Sequence, residues 1–122
     1  MPLITREQIA PCELPEEVVT VAAIGGQVLV RGMDMPQLIR FRARQRAVHA
    51  LKKGEKQEDA DQRAGAELMP ILLEMTVLAA DHEPVYSAAQ WGVFTVKHQD
   101  EALRLCGVAM RLSGLEKEPG KS

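Results

Sequence analysis

The stretch VVTVAAIGGQVLVRGMD, residues 18–34, decides how this 122-residue chain folds. Two short runs of β-branched and aliphatic residues flank Gly25 and Gly26, and Arg31 leaves the second run. Such residues suit the pleated, half-buried surface of a sheet, so 18–21 and 27–31 read as two strands. In the second strand Val28 and Val30 take one face while Gln27, Leu29 and Arg31 take the other. The glycines can supply the positive φ of a tight link, which predicts a β-hairpin turning over 22–26. A phosphate-cradling loop is the rival reading. It would open directly into a helix and bring a Lys and a Ser or Thr to the nucleotide and its metal. Here the turn opens into another strand, and neither GxGxxG nor GxxxxGK[ST] occurs. The hairpin reading is preferred.

Working outward, Asp34 with Gln37 forms a capping-box pattern, and Pro36 suits a first helical turn. A helix is predicted over 35–53, burying Leu38, Phe41, Val48 and Leu51. The run KKGEKQEDADQ, residues 52–62, reads as a solvated loop. A second helix is predicted over 64–80, with Leu68, Ile71, Leu72, Met75 and Leu78 on one broad face; Pro70 should kink it or mark its start. DHEPVY, residues 81–86, reads as a turn into a short extended piece. Ser87 with Gln90 should cap a brief helix that passes Trp91 and ends at Gly92. The last helix is predicted over 96–113, with Leu103, Cys106, Ala109 and Met110 on its apolar face, Leu105 and Leu112 beside it, and Gly114 as the αL residue that stops it. Pro2, Pro11 and Pro15 make residues 1–17 an extended lead-in, and 117–122 reads as a flexible tail. The expected fold is therefore α+β: one small domain over 18–116, an N-terminal β-hairpin packed against three or four α-helices.

Apolar residues are 46% of the chain, enough for one core, but aromatics are 3%, so Leu, Val, Ile, Met and Ala must fill it. No apolar run approaches the roughly 18 residues of a membrane span, and the N-terminal stretch lacks the apolar segment of a signal peptide. A cytoplasmic setting is expected, with Cys12 and Cys106 as free thiols or one long-range disulfide. Charge is segregated along the chain. Residues 31–56 hold eight Lys/Arg against Asp34 and Glu55, whereas 57–83 hold seven Asp/Glu against Arg63.

Three constellations bear on function. In RFRARQR, residues 40–46, a helix places Arg40 and Arg44 on one side and Arg42 and Arg46 on another. A solvated basic face, a protein-partner surface, and a nucleic-acid surface over 40–53 are the alternatives. Phe41 alone accompanies the arginines, which gives stacking on bases little support. His49, His82 and His98 lack ligand spacing, and Cys106 falls on an apolar face, where a small buried hydrophobe is expected rather than a nucleophile. No GxSxG or other catalytic pattern occurs, so neither enzyme activity nor a cofactor is expected. Tyr86, Trp91 and Phe94 are three of the four aromatics and lie within nine positions. They read as core, or as a surface gripping an apolar partner segment.

The order of these pieces carries a resemblance. An acidic Glu16-Glu17 lead, Gly25-Gly26, Val30-Arg31 and a capped helix are followed by Asp81, Pro84, Val85, Tyr86 and Ser87, then by Leu112, Ser113, Gly114 and Leu115. In this order they resemble the small tail assembly chaperones of long-tailed, siphovirus-type bacteriophages and prophages, over about 18–116. One departure is His82-Glu83-Pro84, where many relatives carry glycine. The resemblance implies a non-enzymatic role in the host-cell cytoplasm. It implies binding of the tape-measure protein, and of tail-tube subunits, with self-association into oligomers and no membrane. Tyr86, Trp91, Phe94, Arg40 and Arg44 are then the candidate partner-binding residues. The resemblance also implies a longer product made by ribosomal slippage near the end of the gene. A slippery run is expected across the codons of Pro119, Gly120 and Lys121 (CCG-GGA-AAG), followed by an overlapping frame. The gene's nucleotide sequence checks this, and other codons at those positions rule it out.

Overall fold

The computed structural model describes residues 2–10, 12–50 and 54–115. Leu51 and the 117–122 tail, with its slippage motif, lie outside the described residues. The hairpin forms as expected: β1 (Glu16–Val21) pairs antiparallel with β2 (Gly26–Arg31), with Val19 opposite Val28 and Glu17 opposite Val30. Gly25 N–H donates to Val21 O at 3.1 Å across the turn. Only Gly25 needs a glycine's freedom there, at φ 97°; Gly26 already lies in β2. The first of the pair makes the turn and the second begins the ladder.

A third strand, β3 (Val77–Leu78), pairs antiparallel with β2 and completes a sheet in the order β1-β2-β3. The sequence expectation placed these residues in a helix. Val77 is fully buried opposite Val30, so sheet pairing supersedes the helical periodicity that leads up to it. The turn beyond it is closed by Ala79 N–H to Glu83 O, and His82 takes φ 65° in place of a glycine.

Among the described residues four α-helices complete the domain: α1 (Met35–His49), α2 (Gln57–Thr76), α3 (Ala88–Lys97) and α4 (Gln99–Leu112). The α+β expectation holds, with four helices. Both capping boxes form: Asp34 accepts from Gln37 N–H and Ser87 from Gln90 N–H, while each glutamine side chain returns a bond to the cap N–H. Several helix boundaries differ from expectation. Helix α2 begins at Gln57, inside the run read as loop. Glu58 and Asp59 occupy its first turn, where carboxylates favour the positive end of the helix dipole, and Ala60 and Ala64 pack inward. It does not begin at Pro70, which lies inside it. An interior proline costs a helix about 3 kcal/mol, which burial of Leu68, Leu72 and Leu73 around it offsets. Helix α3 continues through Gly92 because Trp91 and Phe94 anchor it in the core, outweighing glycine's poor propensity. It runs to Lys97, and His98 alone separates it from α4.

The fully buried face of α4 is Ala102, Leu105 and Ala109, with Cys106, Met110 and Leu112 packed beside it as expected, whereas Leu103 is 51% exposed and Ala102 takes the inward position instead. Small residues let α4 approach α2 and the sheet closely, and a face chosen by the largest apolar side chains misses that. Sheet and helices share one core, in which Val19, Val21, Val28 and Val30 meet Leu73, Trp91 and Leu105. Gly114 ends α4 at φ 74° as expected, with Leu115 N–H donating to Met110 O.

The ends of the domain meet at Gly32. A Cβ there would lie 2.6 Å from Leu112 O and 3.3 Å from Pro15 Cγ, while Gly32 N–H donates to Pro15 O at 2.9 Å. Next to it, Met33 N–H donates to Ser113 Oγ at 2.9 Å. Backbone cannot yield as a flexible side chain can. Gly32→Ala should therefore lower unfolding stability by about 1–3 kcal/mol, as overpacking does. Gly26→Ala, where a Cβ meets open space, should stay within about 0.5 kcal/mol; chemical denaturation of both variants checks the pair.

Candidate functional site

The aromatic cluster forms around α3. The rings of Tyr86 and Trp91 meet edge-to-face at 5.0 Å, and those of Trp91 and Phe94 at 5.1 Å. Trp91 is fully buried and Phe94 is 7% exposed, so the pair anchors α3, while Tyr86 is half-buried at the margin. The structure joins these three side chains and leaves Trp91 no free surface. What remains accessible is a shallow groove of about 350 Å³ between the hairpin turn and α3. Ala23, Tyr86, Val93 and the edge of Phe94 line it, with Gln90 and Lys97 beside them. Val93 is 60% exposed there.

Arg40 and Arg44 lie apart from that groove, on α1. Both are exposed, and Arg44 approaches Glu67 of α2 at 3.7 Å. The basic and acidic segments of the sequence fold against each other. His49 lies 3.6 Å from Asp61, and Arg63 forks onto Glu55 at 3.0 and 3.2 Å while donating to Ala50 O. The fork clips the connection between α1 and α2. Part of the charge segregation is thereby matched within one chain.

A second groove, about 380 Å³ and mostly apolar, runs between α2 and α3. Sequence reasoning did not foresee it. Its lining includes Gly65, Ala66, Met69, Gly92 and Val96, and Asp61 stands at one end. Gly65 and Gly92 both sit inside helices, and a Cβ on either would meet nothing within 4 Å. Each costs its helix about 1 kcal/mol relative to alanine. The signal was present in the sequence as two glycines, but Gly65 fell at the expected start of one helix and Gly92 at the expected end of another.

The polar cleft at the start of α1, about 350 Å³, gathers Arg31, Asp34, Glu74 and His82. Three of them have structural partners: Asp34 caps α1, Glu74 accepts Ala88 N–H at 2.8 Å, and His82 pairs with Glu16 at 3.4 Å; the buried Nε of Arg31 has no hydrogen-bond partner among the described residues. Among the described residues no serine or cysteine lines it. Among the described residues no three His, Cys, Asp or Glu side chains cluster as a metal site, and no helix is long and apolar enough to cross a membrane.

These elements define a small α+β domain whose helices offer shallow apolar grooves. No family model matches the chain, and no curated protein sequence matches it. Among solved structures it is similar to the bacteriophage HK97 tail assembly chaperone. The TM-score is 0.58 at 17% identity, over 80% of this chain and 84% of that one. The likeness is one of fold. The two motifs at opposite ends of the resemblance, Val30-Arg31 and Leu112 to Leu115, bracket the Gly32–Ser113 junction in space.

Both cysteines are free, Cys12 exposed and Cys106 half-buried. Burial pushes the Cys106 thiol up from 9.0 to about 12. A thiol whose folded pKa is raised keeps its contribution to stability below the unfolded value and loses it as pH climbs toward the folded one. Stability should hold to about pH 9 and then fall by up to about 1.4 kcal/mol per pH unit toward pH 12, a loss that Cys106→Ala lacks. Maleimide at neutral pH should label Cys12 rapidly and Cys106 only on unfolding. Equal labelling of the two thiols would refute the buried setting.

Proposed function

We propose that this chain is a tail assembly chaperone, acting by binding and without a cofactor or catalytic step, in the cytoplasm of a bacterial host. The observation that carries this reading is the fold shared with the HK97 chaperone across four-fifths of the chain. The ordered motifs that converge at the Gly32 junction support it. Its partner is the tape-measure protein, with tail-tube subunits arriving later. A long helical polypeptide exposes apolar surface before the tube closes over it, and such surface drives aggregation. The groove of Tyr86, Val93 and Phe94 is shallow, apolar and flanked by Lys97. That suits a reversible grip on one short apolar segment. Weak single sites become effective when several copies act together, and tube subunits can still displace them one at a time.

The basic face of α1 is the alternative site, for nucleic acid. Acidic α2 lies against it, with Glu67 beside Arg44, and would repel a polyanion.

Co-expression with the tape-measure protein tests the proposal. The wild-type chain should keep that partner in the soluble fraction. Val93→Asp, at an exposed groove position, should weaken capture about tenfold or more, equivalent to about 1.4 kcal/mol. Arg40→Glu with Arg44→Glu should leave capture largely intact. An insoluble partner beside a folded wild-type chain would count against the proposal.

A further inference from the structure

The polar cleft at the start of α1 holds a cation that the fold leaves without an acceptor. Arg31 ends β2 on the sheet face opposite Val28 and Val30, and its Nε is buried with no hydrogen-bond partner among the described residues. Glu16 lies across from it in the β1–β2 ladder, yet Glu16 pairs with His82 at 3.4 Å. His82 reaches that carboxylate from a φ of 65°, in the left-handed region that favours glycine. A charged donor buried without an acceptor is costly, so an acceptor arriving from outside is favoured.

Around Arg31 the cleft, about 350 Å³, offers hydrogen-bonding groups of both kinds. Asp34 Oδ1 accepts the Gln37 N–H, and Gln37 Oε1 accepts the Asp34 N–H. That leaves Asp34 Oδ2 as an acceptor and Gln37 Nε2 as a donor. Glu74 Oε2 accepts the Ala88 N–H at 2.8 Å, which leaves Oε1 as a second acceptor. The rest of the wall is apolar, from Leu14, Met75, Leu78 and Pro84.

This mixture selects the ligand. A carboxylate only accepts, and it would meet two carboxylates beside one guanidinium. An ammonium only donates, and Arg31 would repel it. A primary carboxamide both accepts and donates and carries no net charge. We propose that the cleft binds the side-chain carboxamide of a glutamine presented by a partner polypeptide. Its carbonyl accepts from Arg31 Nε, its NH2 donates to Glu74 Oε1 or Asp34 Oδ2, and its methylenes lie along the apolar wall. The volume is that of a ligand pocket, so the side chain and the backbone that carries it both have room. The cleft shares no lining residue with the Tyr86 groove. Its readout needs no tape-measure protein, so this proposal and the chaperone reading can fail separately.

The Arg31 Nε–H resonance in a proton–nitrogen correlation spectrum of the full chain reads the site directly. The N-acetyl amides of glutamine, glutamate and methionine serve as probes, since they share a backbone and differ in head group. The glutamine probe should shift the resonance saturably. The other two should bind about tenfold more weakly, the worth of one charge-assisted hydrogen bond. Arg31→Met deletes the donor and breaks no internal bond. It should melt no lower than wild type, and the Gln37 side-chain NH2 resonance should no longer respond to the glutamine probe. Glu74→Gln keeps a carbonyl for Ala88 N–H but turns the free oxygen into a donor, so preference should reverse toward the glutamate probe. An Arg31 resonance that no probe moves gives the Nε to an ordered water and overturns the proposal. So does a wild type that prefers the glutamate probe, which makes the cleft an anion site, or one that binds all three alike. Tighter binding of free glutamine than of its capped form overturns the partner polypeptide as the source.

Discussion

The close approach of Gly32 to the end of α4 is the constraint on which the rest of the domain depends. It is where β2 hands over to α1 and where α4 stops, and these events lie eighty positions apart in sequence. Leu112 O occupies the space of a Gly32 side chain, Ser113 Oγ takes the Met33 N–H, and Pro15 O takes the Gly32 N–H. Three backbone segments are locked by two hydrogen bonds and one missing methyl group. The lock sets the angle at which α1 leaves the sheet and presses α4 onto the valine face of β1 and β2. Arg111 of α4 then reaches Glu17 at 2.7 Å and Arg104 reaches Thr20 O at 2.6 Å. The second bond caps an outward carbonyl of the edge strand, a place where unpaired backbone invites other strands.

Charge has a smaller part in stability than its segregation suggests. Arg44–Glu67, His49–Asp61 and Arg111–Glu17 are exposed pairs, each contributing about 0–1 kcal/mol. The Arg63–Glu55 fork is more enclosed and also reaches Ala50 O. It ties Arg63 of α2 to Glu55 and to the Ala50 carbonyl. The acidic run beyond it could then become helix, with carboxylates at the N-terminus where the dipole favours them.

Much of this fold was legible in the sequence wherever a signal was local. Both capping boxes announced a helix start at the right residue, and two Val-rich runs flanking Gly25-Gly26 announced the hairpin, because a cap or turn is decided within four or five positions. Signals that needed distant partners were not legible. Val77 continued a helical apolar pattern until Val30 claimed it for the sheet. Gly92 looked like a stop because the burial of Trp91 and Phe94, which keeps α3 going, is a tertiary fact. On α4, Leu103 looked like the inward residue because Ala102 carries little hydrophobic weight yet permits the closest packing. Of the candidate site residues, the aromatics were correctly grouped, but grouping could not separate an anchor such as Trp91 from a margin such as Tyr86. Arg40 and Arg44 were correctly placed on one side of a helix, while the neighbour on that side, Glu67, could not be foreseen.

Helix α3 shows how a small domain reconciles a firm core with usable surface. Its ten residues place Trp91 and Phe94 inward, and those two rings supply burial that few other aromatics in the chain could replace. With that anchoring secured on one face, the rest of the helix is released from packing duty. Val93 and Val96 stand exposed on either flank and line different grooves. Gly92, between anchor and flank, lowers local helix propensity without filling any internal gap. An isolated ten-residue helix with such a sequence would scarcely form in water, because nucleation is costly and short helices depend on packing. The aromatic anchor therefore permits the weak position, and the weak position leaves a hollow beside α2. Stability concentrated in two side chains is what allows the remaining surface of α3 to be shaped for contacts outside its own fold.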